Sequence, residues 1–340
     1  MNICLLTRYF SLSNTGVGRV AMEIKHGLAE RGHNVLGIQT NGAHTTLSYL
    51  YYAVADLFFR LPSKYDVYHA LSPVESLYLP KQRAVVTIHD FIPILYLDQI
   101  KTHYLSATFE GLSRFAVKNF YKLASICAAE CRYIVCTNES VKDDLLSLFN
   151  VEPERVKVIR LGIRDYTPAP SEHDTVRFGT LSYLDERKRI HLLIEAFMNA
   201  PDKNYELIIG GMGEQYNNLR NHAASDSRIK FTGFVPEESM NAFYNDLDYF
   251  VFPTKVEGYG LPIIEAMACK KPVVVLKDAI LPKEIKSRCI VADHLDEFIK
   301  HPFHIQQIEE SNYKFAKLHD WDTCVDQYIS LYEEIALENR

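Results

Sequence analysis

No apolar run in this chain of 340 residues is longer than the seven from Tyr49 to Ala55. A helix that spans a membrane needs about 20, so none is expected. Positive charge is not in surplus: Lys and Arg number 37 against 43 Asp and Glu, a net charge of -6. That balance argues against a dedicated nucleic-acid binder, which needs a positive field to meet phosphate. No basic stretch precedes the short apolar Ile3-Cys4-Leu5-Leu6 and no small-residue cleavage site follows it, so no signal peptide is read. The seven cysteines include no Cys-x-x-Cys. Most sit in apolar stretches, and Cys127 and Cys131 share one helical face. Buried free thiols in a reducing compartment are the preferred account, ahead of a metal site. A His-Glu-x-x-His pair, a serine nucleophile elbow and a Gly-Lys-Ser/Thr phosphate loop are all missing. What is present, 47% hydrophobic and 24% charged residues, is ordinary globular composition, and the length suits two domains.

Short apolar runs alternate with helical stretches. Candidate strands lie at 2–7, 35–39, 67–70, 84–89, 133–137 and 156–159. An amphipathic helix over 17–30 ends at the stop signal Arg31-Gly32. Residues 162–175, with Pro168 and Pro170 and no apolar period, read as a linker. The alternation restarts with strands at 177–180, 206–210, 229–232, 249–253, 272–276 and 289–291, and closes on one amphipathic helix from Trp321 to Asn339. Strand-then-helix alternation predicts an α/β chain of two parallel sheets, each covered by helices. Two such sheets place a ligand crevice at the carboxyl ends of their strands.

Gly16-Val17-Gly18-Arg19-Val20-Ala21 fits the Gly-x-Gly-x-x-Ala dinucleotide pattern. Eight residues separate Thr7 from Gly16, however, and the second strand ends at Gln39 rather than at an acid, so a nicotinamide or flavin site is not read. A glycine loop entering a helix still brings backbone N–H groups to an anion; a plain tight turn is the simpler alternative. The segment 257–268, EGYGLPIIEAMA, follows a strand. It puts Glu257 in a loop and Glu265 inside a helix that begins near Pro262, a favourable first-turn residue. Gly258 and Gly260 leave N–H groups uncovered at that helix start. Arg187-Lys188-Arg189 is either an anion site or a solvated run. Asp246-Leu247-Asp248 has the form of an Asp-x-Asp metal motif and stands at a helix end before a strand.

Taken whole, Glu257 to Ala268 resembles the Glu-x7-Glu signature of the retaining glycosyltransferases of family 4, which have the GT-B fold. The resemblance runs through nearly the whole chain. It includes Arg31 to Val35, Ala84 to Pro93 (AVVTIHDFIP), Phe178 to Phe197, the turn Gly210-Gly211-Met212-Gly213, Phe231 to Pro236, and Trp321 with Tyr332. It implies two Rossmann-like domains facing each other across a cleft. Residues 1–163 would bind the acceptor and 164–320 the nucleotide sugar, with a helix over 321–340 returning towards the first domain.

The resemblance also assigns roles. Glu265 would bind the ribose hydroxyls, since each carboxylate oxygen accepts from one of two adjacent hydroxyls. Glu257 would hold hydroxyls of the transferred sugar. Backbone groups from Gly258 through Tyr259 and Gly260 to Leu261 would contact the sugar and diphosphate. Lys188, helped by Arg187, would neutralise the diphosphate. The segment with Val235 would read the base, and His89 would lie beside the acceptor and sugar. Gly16 and Gly18 would form a loop closing over the phosphates. The chain departs from the family pattern at Ser182, where an Arg is usual and Arg187 or Arg19 would substitute. It departs again at Lys270, where Gly usually takes a left-handed helix cap. Leu161 to Arg164 departs too, without mechanistic weight.

The expected function is transfer of a sugar from a UDP- or GDP-linked donor to a hydroxyl of a glycan or lipid-linked acceptor. Retention is implied, with no essential metal and no cofactor beyond the donor. The rivals are a non-catalytic relative that binds sugar nucleotide or a protein, a GT-B phosphorylase or epimerase, and a dehydrogenase. The expected location is cytoplasmic, extending to the inner face of the membrane. Arg114, Lys118 and Lys122 form one basic stripe on a helix, and 49–61 adds an aromatic-rich helix. Peripheral contact with an anionic bilayer would suit them; ordinary packing on the first sheet is the preferred account.

Overall fold

Runs of three to six residues rich in Val, Ile and Leu, most of them followed by a helix, pair in parallel because the helix carries the chain back to the start of the next strand. The computed structural model describes residues 1–10, 16–39, 57–99, 110–170, 173–303 and 306–339. It contains two compact units, one of residues 1–162 with 319–340 and one of residues 163–318.

The first unit runs β1 (Asn2–Leu6), α1 (Gly16–Glu30), β2 (Asn34–Ile38), β3 (Val67–Ala70), β4 (Ala84–Ile88), α2 (Glu110–Ala129), β5 (Tyr133–Cys136), α3 (Glu139–Leu148) and β6 (Val156–Val158). The sheet order is β2-β1-β3-β4-β5-β6, parallel throughout. Strands β3, β4 and β5 are buried at every position, as a sheet covered on both faces requires. Helix α1 buries Val20, Ala21, Ile24 and Leu28 at helical spacing. It stops at Gly32, whose φ of 79° lets the N–H groups of Gly32 and His33 return to the carbonyls of Ala29 and Leu28. Gly16 and Gly18 correct an expectation. Both lie in the first turn of α1 rather than in a loop, and Gly18 is buried. The apolar period begins at Val17, and the helix itself starts one residue earlier, at Gly16. The residues leading into that turn, 11–15, lie outside the described residues, as do 49–56 of the expected aromatic helix. Of the latter, Leu57–Arg60 form a single helical turn.

The second unit runs β7 (Val176–Leu181), α4 (Ile190–Met198), β8 (Tyr205–Gly210), α5 (Tyr216–His222), β9 (Ile229–Gly233), α6 (Met240–Asn245), β10 (Tyr249–Val251), α7 (Leu261–Ala268), β11 (Val273–Leu276), β12 (Ile290–Ala292), α8 (Leu295–Lys300) and α9 (Gln306–Ala316). Its order, β12-β11-β10-β7-β8-β9, is again parallel. The chain winds outward from β7 in one direction and from β10 in the other. The topological switch point therefore falls between β7 and β10, where open α/β sheets place their ligands. The proline-rich stretch before β7 is strapped to α6. Thr167 N–H donates to Asn241 Oδ1 at 3.0 Å and Ala169 N–H to Asn245 Oδ1 at 2.7 Å.

Helix α10 (Trp321–Glu338) belongs to the first unit. Asp320 caps it, accepting from Thr323 N–H at 2.8 Å. Its Tyr328, Tyr332 and Ile335 are fully buried. Tyr332 Oη meets His69 Nδ1 at 2.6 Å, His69 Nε2 meets Thr87 Oγ1 at 2.8 Å, and Thr87 Oγ1 meets Tyr328 Oη at 2.8 Å. Every buried polar atom of that chain thus has a partner, as burial demands. Arg31 adds surface pairs to Asp322 and Asp326.

Candidate active site

The loop after β7 sets the first half of the site. Asp185 Oδ1 accepts from Lys188 N–H at 3.1 Å and caps the tight turn Glu186–Lys188; Arg189, at φ 53°, then starts α4. This turn separates the three basic residues. Arg189 leaves to form a fork on Asp278, 2.8 and 2.9 Å, and to cap the carbonyls of Pro253 and Thr254. Lys188 is only 6% exposed and lies 4.8 Å from the Phe252 ring centre. A solvated basic run is therefore excluded.

The loop after β10 supplies the partner. Glu257 accepts from Lys188 Nζ, from Arg187 Nη1 at 2.7 Å and from Thr254 Oγ1 at 2.9 Å. Arg187 Nη1 also reaches the Val256 carbonyl at 2.8 Å. Burial alone would push the Glu257 carboxyl up, but the adjacent Lys188 and Arg187 cations outweigh it and hold the group below the usual carboxylate range. Burial draws Lys188 down, opposed by Glu257. The result is a half-buried carboxylate with two cations at the switch point of the sheet.

Gly260 follows at φ 91°, a conformation open to glycine at little cost, and launches α7 with Leu261 and Pro262 in its first turn. The N–H groups of a first turn lack helical partners and face whatever lies beyond the helix. Glu265, in the second turn, is 1% exposed and accepts from Tyr244 Oη at 2.7 Å. Glu257 and Glu265 thus occupy the loop and the helix as the sequence placed them. The ends of β7, β8 and β9 are fastened together: Gly211 N–H donates to the Gly233 carbonyl at 2.7 Å. Gly211 itself has φ 112°, and a Cβ there would lie 1.8 Å from the Ser182 carbonyl oxygen. Val235, half-buried, comes two residues after β9. Lys270, at φ 55°, does take the left-handed cap, with Nζ on Glu310 at 2.7 Å.

In the first unit, His89 follows β4. Burial pushes its imidazole down to about 4, its ring hydrogen-bonds to the Leu71 backbone, and Nε2 has no hydrogen-bond partner among the described residues. At neutral pH the ring is uncharged. Asp246 and Asp248 both engage Arg177, the second accepting its N–H at 2.7 Å. Among the described residues no group of His, Cys, Asp and Glu is arranged to hold a metal. All seven cysteines are free thiols, five of them buried. In the stripe on α2, Arg114 donates to the Leu97 carbonyl at 3.3 Å, Lys118 pairs with Asp98 at 3.5 Å, and Lys122 is exposed. Phe115, Leu123 and Ile126 on the same helix are exposed too. Thr254 and Tyr244 were not singled out from sequence, because a Thr after a strand and a Tyr in an apolar helix carry no signature.

Two family descriptions match the chain: "Glycosyltransferase Family 4" over residues 14–165 and "Glycosyl transferases group 1" over residues 173–301. The chain belongs to the family 4 glycosyltransferases. It is a nucleotide-sugar-dependent transferase of GT-B fold. The O-antigen chain mannosyltransferase B of Escherichia coli is 26% identical over 297 residues, 78% of this chain and 74% of that enzyme. Two further curated relatives are matched over 65% and 54% of their own lengths. Among solved structures, WaaG, a glycosyltransferase involved in lipopolysaccharide biosynthesis, superposes with a TM-score of 0.74 at 15% identity, covering 97% of this chain and 99% of WaaG. HepE of Anabaena, in complex with UDP and glucose, gives 0.68 at 16% identity, covering 98% and 99%. Of the described helices none is long and apolar enough to cross a membrane.

Proposed function

We propose that the protein transfers a hexose from a UDP- or GDP-linked donor to a hydroxyl of a glycan or lipid-linked acceptor, with retention and without a required metal. The observation that carries this reading is the Lys188–Glu257–Arg187 cluster beside the start of α7. The second unit holds the donor. The diphosphate competes with Glu257 for Lys188 and Arg187, and Glu257, released from them, takes hydroxyls of the sugar. Backbone groups of Gly258, Tyr259, Gly260 and Leu261 meet sugar and diphosphate, Glu265 the ribose, and the segment around Val235 the base. As the bond from the anomeric carbon to the phosphate oxygen breaks, its electron pair goes to the diphosphate. Lys188, Arg187 and the helix start stabilise that charge, the role a metal fills elsewhere. The acceptor hydroxyl then forms its bond on the same face, and its proton passes to the departing phosphate oxygen.

The first unit serves the acceptor, with His89 Nε2 accepting from a hydroxyl. Peripheral contact with anionic lipid through Lys118, Lys122 and Arg114, with the exposed Phe115, Leu123 and Ile126 beside them, suits a lipid-linked acceptor. The deciding experiment uses the donor that raises the melting temperature most in a nucleotide-sugar panel. NMR of the product should show the anomeric configuration of the donor, at a rate unchanged by EDTA. Inverted product removes the retaining mechanism, and loss with EDTA that manganese restores makes Asp246 and Asp248 ligands.

A further inference from the structure

Glu265 is an anomaly in its helix. Ile263, Ile264, Ala266, Met267 and Ala268 around it are all fully buried, and it shares their burial at 1% exposure. A carboxylate kept there needs a built partner, since an unsatisfied buried acceptor is costly. One partner comes from another element: Tyr244 Oη, in the last turn of α6, donates to Glu265 Oε2 at 2.7 Å. Tyr244 is fully buried and its ring cannot turn freely. Phe250 and Tyr166 meet it edge-on at 5.4 and 5.7 Å between centres. The helix that carries it is fixed by the next residue, Asn245, which bonds both Ala169 N–H and the Thr167 carbonyl.

The two acidic residues of the site are therefore held by different chemistry. Glu257 is gripped by cations, whereas Glu265 is oriented by a phenol, which directs a carboxylate without bringing a charge to it. From this geometry we infer that Tyr244 is a positioning residue for donor binding. By fixing Oε2 it fixes the plane of the Glu265 carboxylate, and with it the angle at which the two ribose hydroxyls are received. The inference rests on the assignment of Glu265 to the ribose. Its substrate class is thus a ribonucleoside diphosphate, and its effect is on discrimination between ribose and deoxyribose.

The test measures affinity of the full chain for UDP, GDP and ADP and for their 2′-deoxy forms by calorimetry, in wild type, Tyr244→Phe and Glu265→Gln. Tyr244→Phe keeps the ring and removes one oxygen. It should bind the preferred ribonucleotide roughly three- to tenfold more weakly, as expected for one hydrogen bond. The 2′-deoxy form, which keeps only the 3′-hydroxyl, should lose less, so the preference between the two shrinks. In turnover KM for the donor should rise while kcat stays. Glu265→Gln should lose about tenfold or more in the same direction. Wild-type-like binding by Glu265→Gln, or a wild type that binds none of the three nucleotides, overturns the ribose assignment and this inference together. If Glu265→Gln loses the preference and Tyr244→Phe keeps it in full, only the role of Tyr244 falls. An equal loss for ribo and deoxy forms in Tyr244→Phe reduces it to packing and also overturns the inference.

Discussion

The two sheets treat buried polarity in opposite ways. Beyond β7 and β10 the second unit gathers Arg187, Lys188 and Glu257, with Glu265 on the helix that follows. Around β3 and β4 the first unit holds two imidazoles, the buried His69 and the half-buried His89, which desolvation draws down to about 3 and about 4 and so keeps uncharged at neutral pH. Charge buried with paired partners is kept ready for an ionic ligand, because stabilisation of a departing anion is strongest where water is excluded. Uncharged imidazole suits a hydroxyl ligand, which has no charge to match. In the first unit the proposed acceptor role falls to His89 alone, because His69 spends both ring nitrogens on Tyr332 and Thr87.

The comparison breaks most sharply at Lys188. Lys188→Ala removes one of the two cations on Glu257 and leaves Arg187 and Thr254 as its partners. The donor kcat/KM should fall by roughly a hundredfold or more, the scale on which loss of one transition-state donor is felt. His89→Ala should leave nucleotide affinity as it was. Both are read by steady-state kinetics with binding measured separately. Equal loss of nucleotide affinity in both variants would erase the contrast.

Acid should separate the units next. The folded His69 lies well below its unfolded value of 6.5, so the unfolded chain binds the proton more readily. The stability this gives the first unit is complete above pH 6.5 and drains away as pH falls towards about 3. At pH 5 the loss is about 2 kcal/mol from His69 alone. Glu257, held below the carboxylate range, gives stability that is full above about pH 4.5 and is lost only beneath it. Trp321, the sole tryptophan, reports on the first unit. Between pH 6.5 and 4.5 its fluorescence should change before the far-ultraviolet dichroism of the whole chain, and His69→Asn should flatten that dependence. Coincident transitions would count against the assignment. The smallest effect sharpens the acceptor half. Arg114, Lys118 and Lys122 changed together to Glu should abolish sedimentation with anionic liposomes at low salt, each basic group contributing about 1 kcal/mol. A wild type that stays in the supernatant sends the search for an acceptor to soluble glycans.

Much of this was legible in the residues. The strands of both sheets show as short apolar runs, and Pro262 after Gly260 marks where α7 begins, which puts Glu257 outside and Glu265 inside the helix. Lys270 in a glycine position announced the left-handed backbone that the structure has. What stayed hidden depends on register between distant strands. Lys188 and Glu257 are 69 residues apart and meet because Tyr249 pairs with Phe178, a pairing no local pattern encodes. The Tyr244 contact with Glu265 likewise joins two helices on either side of a strand. His69 sits inside the run Val67 to Ala70, and its partner Tyr332 comes 263 residues later. The periodicity read from Val17 already put Gly18 in α1, and only the loop implied for Gly16 and Gly18 by the resemblance differs from the first helical turn they occupy.

Helix α10 gives the order of synthesis a consequence. Residues 163–318 form a unit without interruption, but the first unit lacks Tyr328 and Tyr332 until the far end of the chain has been made. At about 5–20 residues per second, the 156 residues of the second unit hold that helix back for on the order of ten seconds or more. During that interval His69 and Thr87 are without the hydroxyls that satisfy them, and the face of the sheet that α10 covers is open to water. The later-made unit can therefore be folded first, and the earlier-made one is completed only as its last helix leaves the ribosome.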